Sequence, residues 1–213
     1  MEKKTAKPRE RNKDKSKQQF LDAVGKILKT KGYAGLKVND IAATAGLDKK
    51  LIYKYFGGVD QLIDEYIRSL DFWSNVTPED MPPITDGGEA MAKKTLVEQF
   101  DYVGSNKELQ KILLWGLSEK RKSLKRVADE REAVGDVLLS NITDPHFGEQ
   151  ASRFRAAMAL LVSGAYYLNL YPVNTKTFCG IDVTTEEGRN EIKKALEMLV
   201  ELVYEKNSPK TGK

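Results

Sequence analysis

Gly46 dictates the local path of this chain more strongly than any other residue. Val38, Ile41, Ala42 and Ala45 precede it at i, i+3, i+4 and i+7, the spacing of one buried helix face. Gly46 then stands where a helix end needs a residue that tolerates positive φ, so that the chain can turn sharply. Asp48 follows, and its carboxylate can accept from the free N–H groups in the first turn of a third helix. Upstream, Phe20, Ala23, Val24, Ile27 and Leu28 mark an earlier amphipathic helix that begins near Ser16 and stops at Gly32. Helix, short glycine turn, helix is the unit that presents its second helix to the major groove of duplex DNA.

The third helix has two chemically distinct sides. At about 100° per residue, Lys49, Tyr53, Lys50 and Lys54 fall within an arc of about 140°, and Leu51, Tyr55, Ile52 and Phe56 occupy the complementary arc. The apolar side can pack on the first two helices. The other side offers ammonium groups for phosphates or for guanine O6 and N7, and a tyrosine hydroxyl for a phosphate. An acidic protein partner could use the same face, which leaves open an interaction module that does not bind DNA. Charge follows the same division: Lys and Arg outnumber Asp and Glu by 15 to 7 up to residue 60 and trail by 20 to 24 beyond it. A basic excess confined to one end points to an anionic partner for that end alone.

The stretch from Gly35 to Leu62 resembles the N-terminal signature of the TetR family of bacterial transcriptional regulators. The matching positions are Val38, Ile41 and Ala42, Ala45 and Gly46, Tyr53, Tyr55 and Phe56, and Leu62. The resemblance implies a homodimer whose two heads bind successive major grooves of a roughly palindromic operator on double-stranded DNA. It also implies a C-terminal domain that senses a small-molecule effector, and a repressor rather than an activator. Carried over by position, the DNA-contacting residues are Lys37 and Asn39 at the start of the second helix and Lys49, Lys50, Tyr53, Lys54 and Tyr55 on the third. Tyr55 stays ambiguous, because its angle places it on the packing arc while the resemblance places it near a phosphate. The chain departs from the family pattern in three places, one of them Lys50, which stands where a small residue is common, so that base preference cannot be carried over. Lys37 stands where a capping Thr or Ser is usual and cannot accept a hydrogen bond from a helix N-terminus. Gly58 and Val59 stand where a capping residue followed by Lys is usual.

The expected fold class is all-α: a helix-turn-helix head over residues 16–60 and a helical regulatory and dimerisation domain over 61–213, with residues 1–15 a disordered basic tail. Beyond the head the chain reads helical almost throughout, with breaks at Pro78 to Gly88, at Asp144 and Pro145, and at Pro172. One short recognition helix contacts few bases, and a two-fold dimer doubles the site. The last two long helices are the candidate interface: Ala156, Leu160, Ser163, Gly164 and Tyr167 on one, Ile192, Leu196, Leu199 and Val203 on the other. Phe100, Tyr102, Trp115, Met158 and Tyr166 could line an effector pocket, although such residues at helical spacing also build plain core.

Catalysis finds little support. One His and one Cys lie far apart, and no phosphate-cradling glycine motif or HExxH is present, so neither an enzyme nor any cofactor or metal site is expected. His146 follows Pro145 at a helix start and reads as a capping or exposed residue. Cys179, the single cysteine, lacks a basic neighbour to activate it and reads as an inert thiol. No apolar leader is visible at the N-terminus and the stretch Ala156 to Tyr171 is short for a membrane span, so a cytoplasmic setting without membrane contact is expected.

Overall fold

A computed structural model describes residues 8–71, 84–120, 122–173 and 175–208. The first helix, α1 (Pro8–Lys31), begins eight residues before the apolar spacing predicts. Residues 8–15 were expected in the tail. After Pro8, which suits a first helical position, they contain neither glycine nor a β-branched residue, so nothing opposes extending the helix. Residues 1–7 of that tail lie outside the described residues.

A short 3₁₀ turn at Tyr33–Gly35 leads into α2 (Val38–Ala45). Gly46 ends α2 in the left-handed region at φ 67°, donating to Ala43 O, while Leu47 donates back to Ala42 O. These bonds satisfy carbonyls that a helix end would otherwise leave bare. The Asp48 carboxylate accepts from Lys50 N–H at 2.8 Å and opens α3 (Lys50–Phe56), as the sequence predicts. Gly57, at φ 88°, closes α3, and α4 (Val59–Leu70) follows. Phe20, Val24, Ile41, Ile52 and Leu62 are fully buried where α1 to α4 meet, and Phe56 sets its ring edge-on to Phe20. This core runs past residue 60, since Ile63, Tyr66 and Ile67 of α4 belong to it.

The rest of the chain is a second helical unit. It comprises α5 (Glu89–Ser105), α6 (Lys107–Ser118), α7 (Lys122–Leu138), a π-helical turn (Leu139–Thr143), α8 (Asp144–Phe147), α9 (Ala151–Leu170) and α10 (Glu186–Asn207). Asp86, Asn106 and Thr185 accept from first-turn N–H groups of α5, α6 and α10. Pro145 does not break the chain as expected; it sits in the first turn of α8, and the break falls at Gly148, φ 53°. A two-residue hairpin, β1 (Thr177–Phe178) against β2 (Ile181–Asp182), pairs Thr177 with Asp182 and Phe178 with Ile181. Leu96, Phe100, Phe147, Phe154, Ala165, Leu196 and Val200 form the core of this unit. His146 is part-buried: its ring lies against Phe147 and Tyr204, and its Nε2 is 2.9 Å from Ser208 Oγ. Cys179 is exposed at the hairpin turn. No described helix is long and apolar enough to cross a membrane.

Two sets of contacts join head to body. Along α4, Asp64 meets Arg126 at 2.6 Å, Arg68 meets Glu130 at 2.6 Å, and Asp71 meets Arg131, all three partners being on α7. On the other side Glu108 of α6 accepts from the Tyr66 hydroxyl and pairs with Lys29, and Trp115 sets its ring 4.2 Å from that of Tyr33. Burial opposes charge on Glu108, but hydrogen bonds from Lys29 and Tyr66 outweigh it and hold the carboxyl below its ordinary range. Burial, and then the bond to Glu108, push the Tyr66 phenol up.

Ile52 is the one fully buried side chain by which α3 enters the core. Replacing Ile52 with Ala should therefore cost about 2–5 kcal/mol. Thermal and denaturant unfolding of the variant would measure it, and a loss under about 0.5 kcal/mol would show that α3 is not anchored as described.

Candidate nucleic-acid interface

Burial of Ile52, with Leu51, Tyr55 and Phe56 packed beside it, fixes the rotation of α3 about its own axis. The opposite side is thereby turned outward. Lys49, Lys50, Tyr53 and Lys54 are all exposed, and Tyr53 retains 55% of its surface. Lys37 and Asn39, at the start of α2, are exposed as well. The two helices are tied at this surface: Lys49 Nζ donates to Asn39 Oδ1 at 3.3 Å. Lys37 occupies the N-cap of α2 and gives it no side-chain hydrogen bond, in keeping with an ammonium group that can only donate.

Among the described residues no carboxylate lies within ion-pair distance of Lys37, Lys49, Lys50 or Lys54. Elsewhere Lys17, Lys29, Lys93, Lys94, Lys125, Lys193, Lys194 and Lys206 each have a carboxylate within ion-pair distance. Four exposed ammonium groups without an ion pair among the described residues, Lys37 at the start of α2 and the other three at α3, produce a positive potential that an anion can relieve. Tyr55 is half-buried against the head core, with the Lys54 ammonium 5.9 Å from its ring centre. Its ring packs against the head core.

The five residues read as a pocket are scattered. Met158 and Tyr166 line a cavity of about 510 Å³ between α5, α7 and α9. Phe100 is fully buried beneath the Arg189 guanidinium, which stands 4.2 Å from its ring centre. Tyr102 borders a separate open cleft and donates to Leu70 O at 2.9 Å, and Trp115 lies at the head–body junction. Aromatic spacing could not separate these fates, because core, junction and cavity all take apolar rings. Gln99, Arg131, Glu132 and Arg155 also line the cavity, and nothing in their sequence context marks them.

The expected interface helices also divide. On α9, Ala156, Leu160, Ser163 and Tyr167 are exposed, Leu160 at 76%, and Gly164 is half-buried. On α10, Leu196 is buried in this chain's own core and Ile192 and Val203 are part-buried against it, whereas Leu199 is exposed together with Met198 and Leu202. The apolar arc of α10 is simply wider than one contact needs: from Met198 to Tyr204 it spans about 240° at about 100° per residue, enough for an inner and an outer face.

Residues 20–66 match the family model for bacterial regulatory proteins of the tetR family. A search of the curated proteins finds no match. Among solved structures, the multidrug binding protein EbrR complexed with imidazole aligns over 91% of this chain and 90% of its own, at 21% identity and a TM-score of 0.56. NalD of Pseudomonas aeruginosa, the secondary repressor of the MexAB-OprM multidrug efflux pump, aligns over 94% and 100% at 16% identity and a TM-score of 0.56. A tetR-family transcriptional regulator from Streptomyces coelicolor aligns over 93% and 92% at 17% identity and a TM-score of 0.54. At these identities the likeness is one of fold.

Lys54 is exposed, and no carboxylate among the described residues lies within ion-pair distance of it. Changing Lys54 to Glu should abolish binding to duplex DNA while stability stays within about 0.5 kcal/mol of the parent. Mobility-shift titration beside a thermal melt measures both, and unchanged binding would remove Lys54 from the interface.

Proposed function

We propose that this chain, whose residues 20–66 form a TetR-family DNA-binding domain, is a transcriptional regulator that occupies an operator as a homodimer and is released by a small-molecule effector. The observation that carries the reading is the row of exposed lysines on α3, without carboxylate partners, held outward by the burial of Ile52. Lys49, Lys50 and Lys54 would meet phosphates or guanine edges, with Tyr53 beside them, while Lys37 and Asn39 engage the flanking backbone. Tyr55 is left to support the helix from below.

A single head of this size contacts few base pairs, so selectivity calls for a second copy with its half-site about 34–36 Å away on a roughly palindromic sequence. The exposed apolar side chains of α9 and α10, Leu160, Tyr167, Met198, Leu199 and Leu202, support a two-fold pairing through these helices. Bound in this way the protein would block access to a promoter and act as a repressor. An effector bound in the body would lower DNA affinity by its differential affinity for the two conformations and by no more.

The test is salt dependence on genomic duplex fragments. Four lysines per head, doubled in a dimer, displace about eight counterions, which gives log affinity against log salt a slope of roughly −7. A slope near zero, or no binding at low salt, would remove the DNA reading and favour a helix-turn-helix that serves protein contacts. Independently, Leu199→Arg places a charge on the outer face of α10 and should yield monomers on a sizing column. A variant that elutes unchanged as a dimer would place the interface elsewhere.

A further inference from the structure

The first helix outruns its own packing. Residues 12–15 are exposed, and among the described residues no hydrogen bond or ion pair joins them to another element. Lys17 marks where α1 meets the rest of the head: its ammonium pairs with Glu65 of α4 at 3.1 Å and stands 4.9 Å from the ring centre of Phe56, the last residue of α3. From Lys17 back to Pro8 the helix runs on for about 14 Å, at about 1.5 Å per residue. The other end of α1 is fastened to the body through Lys29 and Glu108. The free end therefore points away from the body and past the end of α3.

The composition of this free end runs against what a helix start favours. Residues 8–17 hold five basic side chains and two acidic ones, although the helix dipole makes an N-terminal end positive and rewards acids there. Register sharpens the point. At about 100° per residue, Lys17 and Lys13 lie about 60° and about 20° from Phe20, on the stripe that further along carries Val24 and Ile27 into the core. Arg9 falls in the same register, and Lys15 lies about 160° round the helix from Lys13. Neither Lys13 nor Lys15 has a carboxylate within ion-pair distance among the described residues. The inner side of α3 packs on this stripe, Phe56 against Phe20, and its outer side carries Lys50, Tyr53 and Lys54. Past Phe56 nothing of α3 stands between the cationic part of the stripe and a ligand lying along that outer side.

We infer that the free end of α1 is a second DNA contact, in which the stripe marked by Lys13 lies against duplex phosphates beside those met by α3. This deepens the proposed function and takes its DNA binding as a premise. Phosphates carry no sequence, so the contact raises affinity for every duplex alike and lengthens the site without adding to its selectivity. One phosphate per head for Lys13, two in a dimer, adds about −2 to the salt slope beyond the part supplied by the lysines of α2 and α3.

Lys13→Ala and Lys15→Ala remove the same charge from the same stretch of helix and differ only in the face they clear. The full chain is titrated against a labelled genomic duplex fragment that it retains. Lys13→Ala should weaken binding at least about tenfold at about 0.15 M salt and flatten the slope of log affinity against log salt by about 2. Lys15→Ala should cost less than about threefold, because its charge acts only through a field that salt screens over about 8 Å. The factor for Lys13→Ala should be the same on a scrambled duplex. Alanine is the best helix former, so helical circular dichroism and the melting temperature should hold in both variants. Trimming the fragment from both ends gives a readout that a structural role would not move. The parent should fall to the affinity of Lys13→Ala once the flanking phosphates are gone, and Lys13→Ala should lose nothing over the same steps.

Equal losses from the two variants would reduce the effect to a diffuse field and overturn the contact. So would duplex binding unmoved by Lys13→Ala, the outcome if the stripe serves an acidic protein instead. Lys54→Glu on the same fragment keeps the two readings apart. Binding lost with Lys54→Glu but kept in full with Lys13→Ala removes the α1 contact and leaves the regulator standing. A parent chain that binds no duplex removes both.

Discussion

Two buried carboxylates on one helix hold this molecule together. Asp64 and Asp71, on and just after α4, are almost wholly buried, and an arginine of α7 stands against each of them. Removing the partner of such a group costs about 3–5 kcal/mol, because the remaining charge is then stranded away from water. The inner side of α4 is committed to the head through Leu62, Ile63 and Ile67. One rod is thus packed into the head by apolar contact and tied to the body by charge. Since α3 and α4 are joined only by Gly57 and Gly58, the tilt of α4 sets where the lysine ridge points.

The head was legible in the sequence because its rules are local. Gly46, Asp48 and the angular split of residues 49 to 56 each act within a turn or two, and the structure places Ile52 inward and Lys50 and Lys54 outward as the spacing requires. Other features depend on what lies across the fold. The α10 stripe could not be divided into inner and outer halves, because hydrophobicity alone does not say that Leu196 meets this chain's own core and Leu199 does not. Phe100 and Trp115 resemble Met158 in composition and spacing, but only Met158 borders the cavity. Gln99 was invisible for a different reason: a polar residue in an amphipathic helix ordinarily signals solvent, and its burial is a tertiary fact. The start of α1 was missed because amphipathic spacing marks where a helix packs and is silent where it is merely permitted.

The position of α7 connects the two halves of the argument. One side of it lines the cavity through Ala128, Glu132 and Gly135, and Arg126, Glu130 and Arg131 meet α4. Arg131 does both. At its far end α7 runs into the π-helical turn Leu139–Thr143, where Arg155 of α9 gathers Asp136, Ser140 and Asp144, and its hydrogen bonds hold the Asp144 carboxyl below the ordinary range.

Magnitudes select which fastening matters. A hundredfold change in DNA affinity corresponds to about 2.7 kcal/mol. Arg68 and Glu130 are both well exposed, and a pair of that kind contributes at most about 1 kcal/mol, too little to carry such a change. The ties of Asp64 and Asp71 lie in the right range. A displacement of α7 that kept these pairs intact would cost far less than one that broke them, so α4 is constrained to move with α7 rather than be left behind. The burial of two carboxylates, which a purely apolar α4–α7 contact would have avoided, makes mechanical sense on that basis: apolar faces slide past one another at little cost, and a buried ion pair does not.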